Sequence, residues 1–435
     1  MNKHCSFLGA SAAVLWCALQ AVAQTPTPHT AIPLDPAAAD RYEGYYQMGP
    51  QRAVHFWREG DHFYFGALGM AQRMEAFPET PTRFFFANPA ITFTFNAGTD
   101  GKVTGLTINQ AGRDIAAPRI EEVLAKSFPA PGSAAAARPA VPRTWPMMAA
   151  AAPRQITART AGVIDYWPCF SPDGKTVLFS RTVDGGKTWS LFRVSAAGGA
   201  AELFAKLPVS ATRASWSAKS GRIVFNGDAA GAAAGGIWVM DGNGRNAHAI
   251  ATDGILAPSY PSWYPDGRTI GFGDAARNIL YRMDTAGKPV AVTHQEQVLT
   301  GMSSVAPDGQ WVAFAGQKNN GQIYQQNDNQ IWLVDDSGQA RTLETQPLQG
   351  RTPSWSPDGR RVAFESDRGS PSGLYAVFIV NREGTGLVQV TDYALNAGHP
   401  VFSPDGRRLV FAVGDPAQGI SALAVLTLAD KPPPG

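Results

Sequence analysis

Cysteine is almost missing from this chain. Of three in 435 residues, Cys5 and Cys17 sit close to the start, and Cys169 stands alone after them. Once the leading segment is removed no internal disulfide is possible, so packing must hold the fold, as a chain of this length allows. Charge is scarce as well. Only 17% of residues are charged, and the formal net charge is +2, with Lys and Arg spread evenly. That distribution offers no footprint for nucleic acid or an anionic membrane surface, and neither is expected as a partner. After residue 23 there is no apolar run long enough to span a bilayer, so no membrane span is expected.

The single apolar run lies at the beginning. Lys3 precedes the stretch 7–19, which ends in Ala21-Val22-Ala23. A positive charge, a short apolar run and a small-x-small site read as a secretory signal peptide, 1–23, cleaved before Gln24. Trp16, directly before Cys17, stands where a lipoprotein site would need a small residue. The expected product is a monomer in the periplasm or outside the cell.

What the sequence has in abundance is turn residues, 45 Gly and 33 Pro. Both break helices, and together with aromatic and β-branched runs they point to an all-β fold. Residues 24–40, rich in Pro, Ala and Thr, read as a flexible lead. From 41 to 128 short alternating runs (42–48, 53–57, 62–68, 83–87, 91–95 and 103–109) suggest a small antiparallel β-sandwich or barrel. One helical turn is expected over 121–128. Residues 129–153, Ala/Pro-rich and without an amphipathic period, read as an interdomain linker.

From 154 to 430 one unit recurs. An aromatic-centred strand runs into Pro-Asp-Gly, and a second strand ends in Phe. A third strand and a short fourth, often ending in Thr, complete it. The motif stands at Ser171-Pro172-Asp173-Gly174, Tyr264-Pro265-Asp266-Gly267, Ala306-Pro307-Asp308-Gly309, Ser356-Pro357-Asp358-Gly359 and Ser403-Pro404-Asp405-Gly406, with a degenerate copy at Ser217-Ala218-Lys219-Ser220-Gly221. The turn glycines are separated by 47, 46, 42, 50 and 47 residues. A period in the forties with four strands per unit is that of a propeller blade. Pro fixes φ, Asp bonds nearby backbone and Gly accepts positive φ, which together make a tight hairpin.

Third strands are expected at 189–194, 237–240, 279–283, 331–334, 374–380 and 423–428. Fourth strands follow at 201–204, 247–250, 290–293, 341–343 and 387–391, one fewer than the blades. Arg154-Gln155-Ile156-Thr157 is similar to Leu387-Val388-Gln389-Val390-Thr391, so 154–158 is expected to pair into the last blade and close the ring.

The repeated Ser-Pro-Asp-Gly and the following Phe-ended strand resemble the PD40/WD40-like repeats of TolB-like six-bladed β-propellers. Residues 41–120 resemble instead the small β domain attached to β-lactamase-like serine hydrolases. Tyr42-Glu43-Gly44-Tyr45-Tyr46, Arg58-Glu59-Gly60-Asp61, Gly101-Lys102-Val103-Thr104-Gly105-Leu106 and Gly112-Arg113-Asp114 carry that likeness. The first resemblance implies a periplasmic protein that binds other envelope components. The second departs from the α/β amino-terminal domain of TolB itself.

No catalytic signature matches. Gly301-Met302-Ser303-Ser304-Val305 lacks the last Gly of a nucleophile elbow, and neither His-Glu-x-x-His nor Cys-x-x-Cys occurs. Gly186-Lys187-Thr188 reads as a hairpin loop. Asp241-Gly242-Asn243-Gly244 and Asp335-Asp336-Ser337-Gly338 read as Asx turns rather than calcium loops. No metal and no cofactor are expected.

In a propeller the first strand of each blade lines the axis. Counting seven residues back from each turn glycine (eight in the lengthened second copy) gives Trp167, Arg213, Tyr260, Met302, Thr352 and His399. Converging, these would form an amphipathic recognition surface at the channel mouth for a protein, peptide or glycan. Their alternative role is to plug the channel. His399 reads as structural rather than a metal ligand, His248 and His294 belong at the outer rim, and Cys169 reads as core. The function expected is that of a non-catalytic secreted or periplasmic binding or scaffolding protein. The alternative is a propeller hydrolase or polysaccharide lyase with an axial site, for which Asp165 near His399 is the place to look. The hydrolase-type amino-terminal domain leaves a third reading, an accessory to a hydrolase system.

Overall fold

The computed structural model describes residues 29–49, 52–67, 73–86, 91–110, 113–127, 147–148, 152–228, 236–294, 297–319, 329–343, 349–370, 374–415 and 420–429. The expected signal peptide and most of the expected linker lie outside these. The chain divides into two compact units, and it is almost entirely β.

The first unit opens with a helix, α1 (Pro36–Tyr42), followed by eight strands. These are β1 (Gly44–Gly49), β2 (Arg52–Glu59), β3 (His62–Ala67), β4 (Met74–Pro78), β5 (Arg83–Phe86), β6 (Ile91–Ala97), β7 (Val103–Gln110) and β8 (Arg113–Ile120). A second helix, α2 (Glu122–Ser127), follows the last of these strands. Each strand pairs with the next, and Tyr45 and Tyr46 of β1 pair with Ile120 and Arg119 of β8, so the sheet is a closed barrel. Alternation places Tyr46, Phe56, Phe63, Phe84, Phe93 and Phe95 inside as one aromatic core.

Strands β4 and β8 escaped the sequence reading. Met74-Glu75-Ala76-Phe77-Pro78 has no β-branched residue, and β8 carries Pro118 and two alanines, so both owe their state to pairing rather than propensity. The flexible lead expected over 24–40 also needs correcting. Asp35 caps α1 by accepting from the Ala37 amide at 3.0 Å, Pro36 starts it, and Ala38 and Ala39 are buried against the barrel core.

The second unit is a propeller-like ring of sheets. Four are four-stranded and the fifth has eight strands, in which two four-stranded runs meet through one parallel pair, Ile164 with Ser421. Divided there, the sheets make six blades. Their first strands are Ile164–Phe170, Ser210–Trp216, Pro258–Trp263, Val298–Val305, Arg351–Trp355 and Ala397–Phe402. These touch in sequence order, and the last touches the first, so the ring closes.

The turn motif is a small hydrogen-bonded machine. In the first copy the Ser171 hydroxyl donates to Asp173 at 2.6 Å and receives the Thr176 amide at 3.0 Å, while Asp173 accepts the Lys175 amide at 3.1 Å. Ser356 with Asp358 and Ser403 with Asp405 repeat these bonds. All six turn glycines, Gly221 of the degenerate copy included, hold φ between 67° and 71°. That value explains why glycine survives where Pro and Asp do not.

The Thr that ends several fourth strands has a specific task. Thr293 and Thr391 accept the third-strand amides of Leu280 and Val377, both at 2.9 Å. Thr157 does the same for Leu423 at 2.8 Å, from the far end of the unit. Strand β9 (Arg154–Gln155) pairs antiparallel with the last blade, Gln155 opposite Ala424 and Arg154 opposite Val425. Ile156 is buried between the first and last blades, and Arg154 donates to the carbonyls of Ala196 and Ala197 in the first. Gln155 and Gln389 make the same side-chain bond to the backbone two residues on. One part of the expected linker is structured: Met147 bridges in parallel to Gln389, and Met148 is buried beside the last two blades.

Candidate functional site

Every first strand carries a register irregularity. In five blades two of its residues face one on the neighbouring strand, and the first of the two is Trp167, Arg213, Tyr260, Thr352 or His399. These five hold left-handed backbone, with φ of 50°, 56°, 53°, 50° and 54°. For a non-glycine residue that costs roughly 1–2 kcal/mol, and for the β-branched Thr352 it is an outlier. Bulges of this kind re-aim side chains and occur beside functional sites. Pro168, Pro261, Pro353 and Pro400 follow four of the five, and lacking an N–H they leave no donor stranded at the bulge.

Met302, the sixth residue of the expected ring, differs. Its bulge falls one position earlier, at Gly301 and Met302, its φ is not left-handed, and it is 4% exposed. Ser303 follows it where four of the other blades have Pro.

Four of the five left-handed residues come together across blade boundaries. The Arg213 guanidinium lies 4.4 Å over the Trp167 ring and 4.3 Å over the Tyr260 ring, held between two aromatic faces. Trp167 meets His399 edge-on at 5.8 Å and Trp189 at 4.9 Å, and Tyr166 meets His399 at 5.1 Å. Thr352 is buried at the same level of the fifth blade and shows no ring contact of this kind.

Polar residues of the preceding blades support the backbone. Asn226 accepts the Tyr260 amide at 3.0 Å and donates to the Pro258 carbonyl at 2.9 Å. Glu365 accepts the His399 amide at 2.7 Å and pairs with Arg351 at 2.9 Å, both side chains buried. Asn226 and Glu365 occupy equivalent places, directly after the second-strand Phe225 and Phe364. The sequence reading passed over them. Their signal was a polar side chain following that Phe.

The electrostatics are uneven. Burial works against the charge on Glu365, but Arg351 and the His399 side offset it, so its carboxyl stays below its ordinary value. Burial lowers the His399 pKa to about 4, so this imidazole is neutral at neutral pH. Asp165 is taken up by Arg181 through bonds of 2.7 and 2.9 Å, and the carboxylate beside His399 is Glu365 instead. Arg213 feels Asp228 but has no carboxylate within ion-pair distance among the described residues. Its Nε and the Trp167 Nε1 are buried and without a partner, as is the Arg351 Nε.

The remaining candidates stand elsewhere. Cys169 is buried, with its thiol pushed up to about 12 by burial, and is unreactive on that ground. His248 and His294 lie at and beyond outer strands and are exposed. Asp184 is saturated by Thr182, Thr188 and loop amides, which makes the Gly186-Lys187-Thr188 segment a hairpin loop. Among the described residues no three His, Cys, Asp or Glu side chains are grouped to hold a metal, and no helix is long and apolar enough to cross a membrane.

Over 80 residues the chain is 32% identical to the Tol-Pal system protein TolB of Francisella tularensis. The propeller is TolB-like. An uncharacterized protein of Agrobacterium fabrum is 28% identical over 158 residues, or 35% of this chain, and an uncharacterized peptidase of Bacillus subtilis is 34% identical over 113 residues, or 25% of it. The chain spans about half of the first of these relatives (49%), 16% of the peptidase and 18% of TolB, which is matched over 18% of this chain. It matches no protein-family model. Among solved structures, TolB of Acinetobacter baumannii is similar over 89% of this chain and 79% of its own, at 16% identity and a TM-score of 0.45.

Proposed function

We propose that this is a non-catalytic binding or scaffolding protein of the periplasm or cell exterior, which recognises an envelope protein or peptide at the mouth of its propeller. The TolB-like repeat supports an envelope binding role in general. The residues proposed to make the contact are Trp167, Arg213, Tyr260, Thr352 and His399, with Met302 a buried neighbour. One observation carries this reading: five non-glycine residues hold a costly left-handed conformation at the same place in five blades. Packing alone would favour glycine there, so the side chains supply the reason for the strain.

The test replaces Trp167, Arg213 and Tyr260 together with glycine, which suits their backbone. The variant should keep its melting temperature and lose capture of its partner from envelope extract in a pull-down. Capture retained by a folded triple variant would move the site elsewhere.

A further inference from the structure

We propose that Arg213 is a carboxylate-recognition residue, gripping one acidic group of a peptide partner in the plane left open between Trp167 and Tyr260. This rests on the channel-mouth reading above and gives it a chemistry.

The Trp167 and Tyr260 rings lie 4.4 and 4.3 Å from the guanidinium carbon, one on each neighbouring blade. Its Nη1 donates to the Thr212 hydroxyl at 3.3 Å. The remaining N–H donors are what a ligand would meet, and a planar fork matches a carboxylate through two parallel bonds. The clamp also spares the ligand the entropy of ordering a free arginine.

The surroundings lack acceptors rather than donors. Arg213 Nε, Trp167 Nε1 and Arg351 Nε are buried without partners, and a buried unpaired donor is unfavourable until an acceptor arrives. The nearby carboxylates of Glu365 and Asp165 are already engaged by Arg351 and Arg181, and Asp228, which Arg213 attracts, lies outside ion-pair distance of it. Arg213 is therefore the cation of this ring with no ion-pair partner, and the site fits a single negative charge.

The same facts favour a peptide over an acidic glycan. The guanidinium takes up one face of each of Trp167 and Tyr260, and Trp167 also meets Trp189 and His399, which leaves little ring surface for a sugar to stack on. A polyuronate presents a carboxylate on every sugar, whereas this ring offers one unpaired cation.

The experiment follows the Trp167 indole N–H by NMR, its signal assigned with Trp167→Phe, in the full mature chain. The probes are N-acetyl-glutamate N-methylamide, its glutamine counterpart and galacturonate. The glutamate probe should shift the signal saturably and raise the pKa of the neighbouring His399, and the glutamine probe should leave both unchanged. Arg213→Gln should weaken the glutamate response at least about tenfold, and Arg213→Gly should do the same with no loss of melting temperature. Equal response to both amino-acid probes, or none to either, overturns the carboxylate clamp. A tenfold stronger response to galacturonate overturns the peptide source. If the triple glycine variant loses partner capture while Arg213→Gln keeps it, the channel mouth stands and the clamp falls. If the triple variant keeps capture, the site itself falls.

Discussion

The two units bury their cores in different ways. The barrel gathers one aromatic cluster, in which Phe56 alone touches Tyr46, Phe63, Phe65, Phe93 and Phe95. The propeller spreads its core through separate clusters at blade boundaries, such as the one holding Phe179 and Ile156 and the one holding Phe364 and Ile331. A single shared core makes every inward residue matter to the whole barrel. A ring of repeated interfaces makes closure the weak point, because each blade depends on its two neighbours. It also supplies a frame of reference. When six copies perform one structural task, a side chain that departs from what the task needs stands out, and the barrel has no such internal standard.

The strongest way to break this contrast is to open the ring. Deleting 154–158 removes β9, the buried Ile156 and the Thr157 bond to Leu423, and leaves the last blade with a bare edge. Loss of Ile156 packing by itself costs about 2–5 kcal/mol. Scanning calorimetry should show the propeller transition lowered sharply with the barrel transition unmoved; an unchanged propeller melt would remove the closing role of this strand. The converse variant, Phe56→Ala, should cost the barrel about 3–5 kcal/mol and spare the propeller.

A smaller effect concerns pH. His399 titrates near 4 in the folded chain against an ordinary 6.5, so the unfolded chain binds the extra proton first as pH falls. Stability from this residue is complete above about 6.5 and is lost between 6.5 and 4. Thermal melts across that window should show the propeller losing stability, and His399→Gln should flatten the slope. An equal slope in that variant would assign the effect to another group.

The finest comparison lies within the ring. Thr352→Gly relieves left-handed backbone and should stabilise the propeller by about 1 kcal/mol, whereas Met302→Gly loses buried apolar surface and should destabilise it. Denaturant midpoints decide it. If both substitutions destabilise alike, strain does not set Thr352 apart.

The sequence by itself determined the repeat, the turns and the closing strand. Pro-Asp-Gly makes a hairpin at each of its five positions, and Gln155-Ile156-Thr157 matches Gln389-Val390-Thr391 because in both the Gln bonds its own backbone two residues on and the Thr accepts a third-strand amide. Counting back from the turn glycine reached the left-handed position in five blades, since local geometry fixes that distance. Strands β4 and β8 were not legible, because weak propensity there yields to pairing with neighbours. The Arg213 clamp and the support from Asn226 and Glu365 were decided by tertiary structure alone. Each joins side chains from adjoining blades, some more than thirty residues apart in the chain, such as Asn226 and Tyr260. Ring closure brings them within hydrogen-bonding or stacking distance, and no local pattern encodes that meeting.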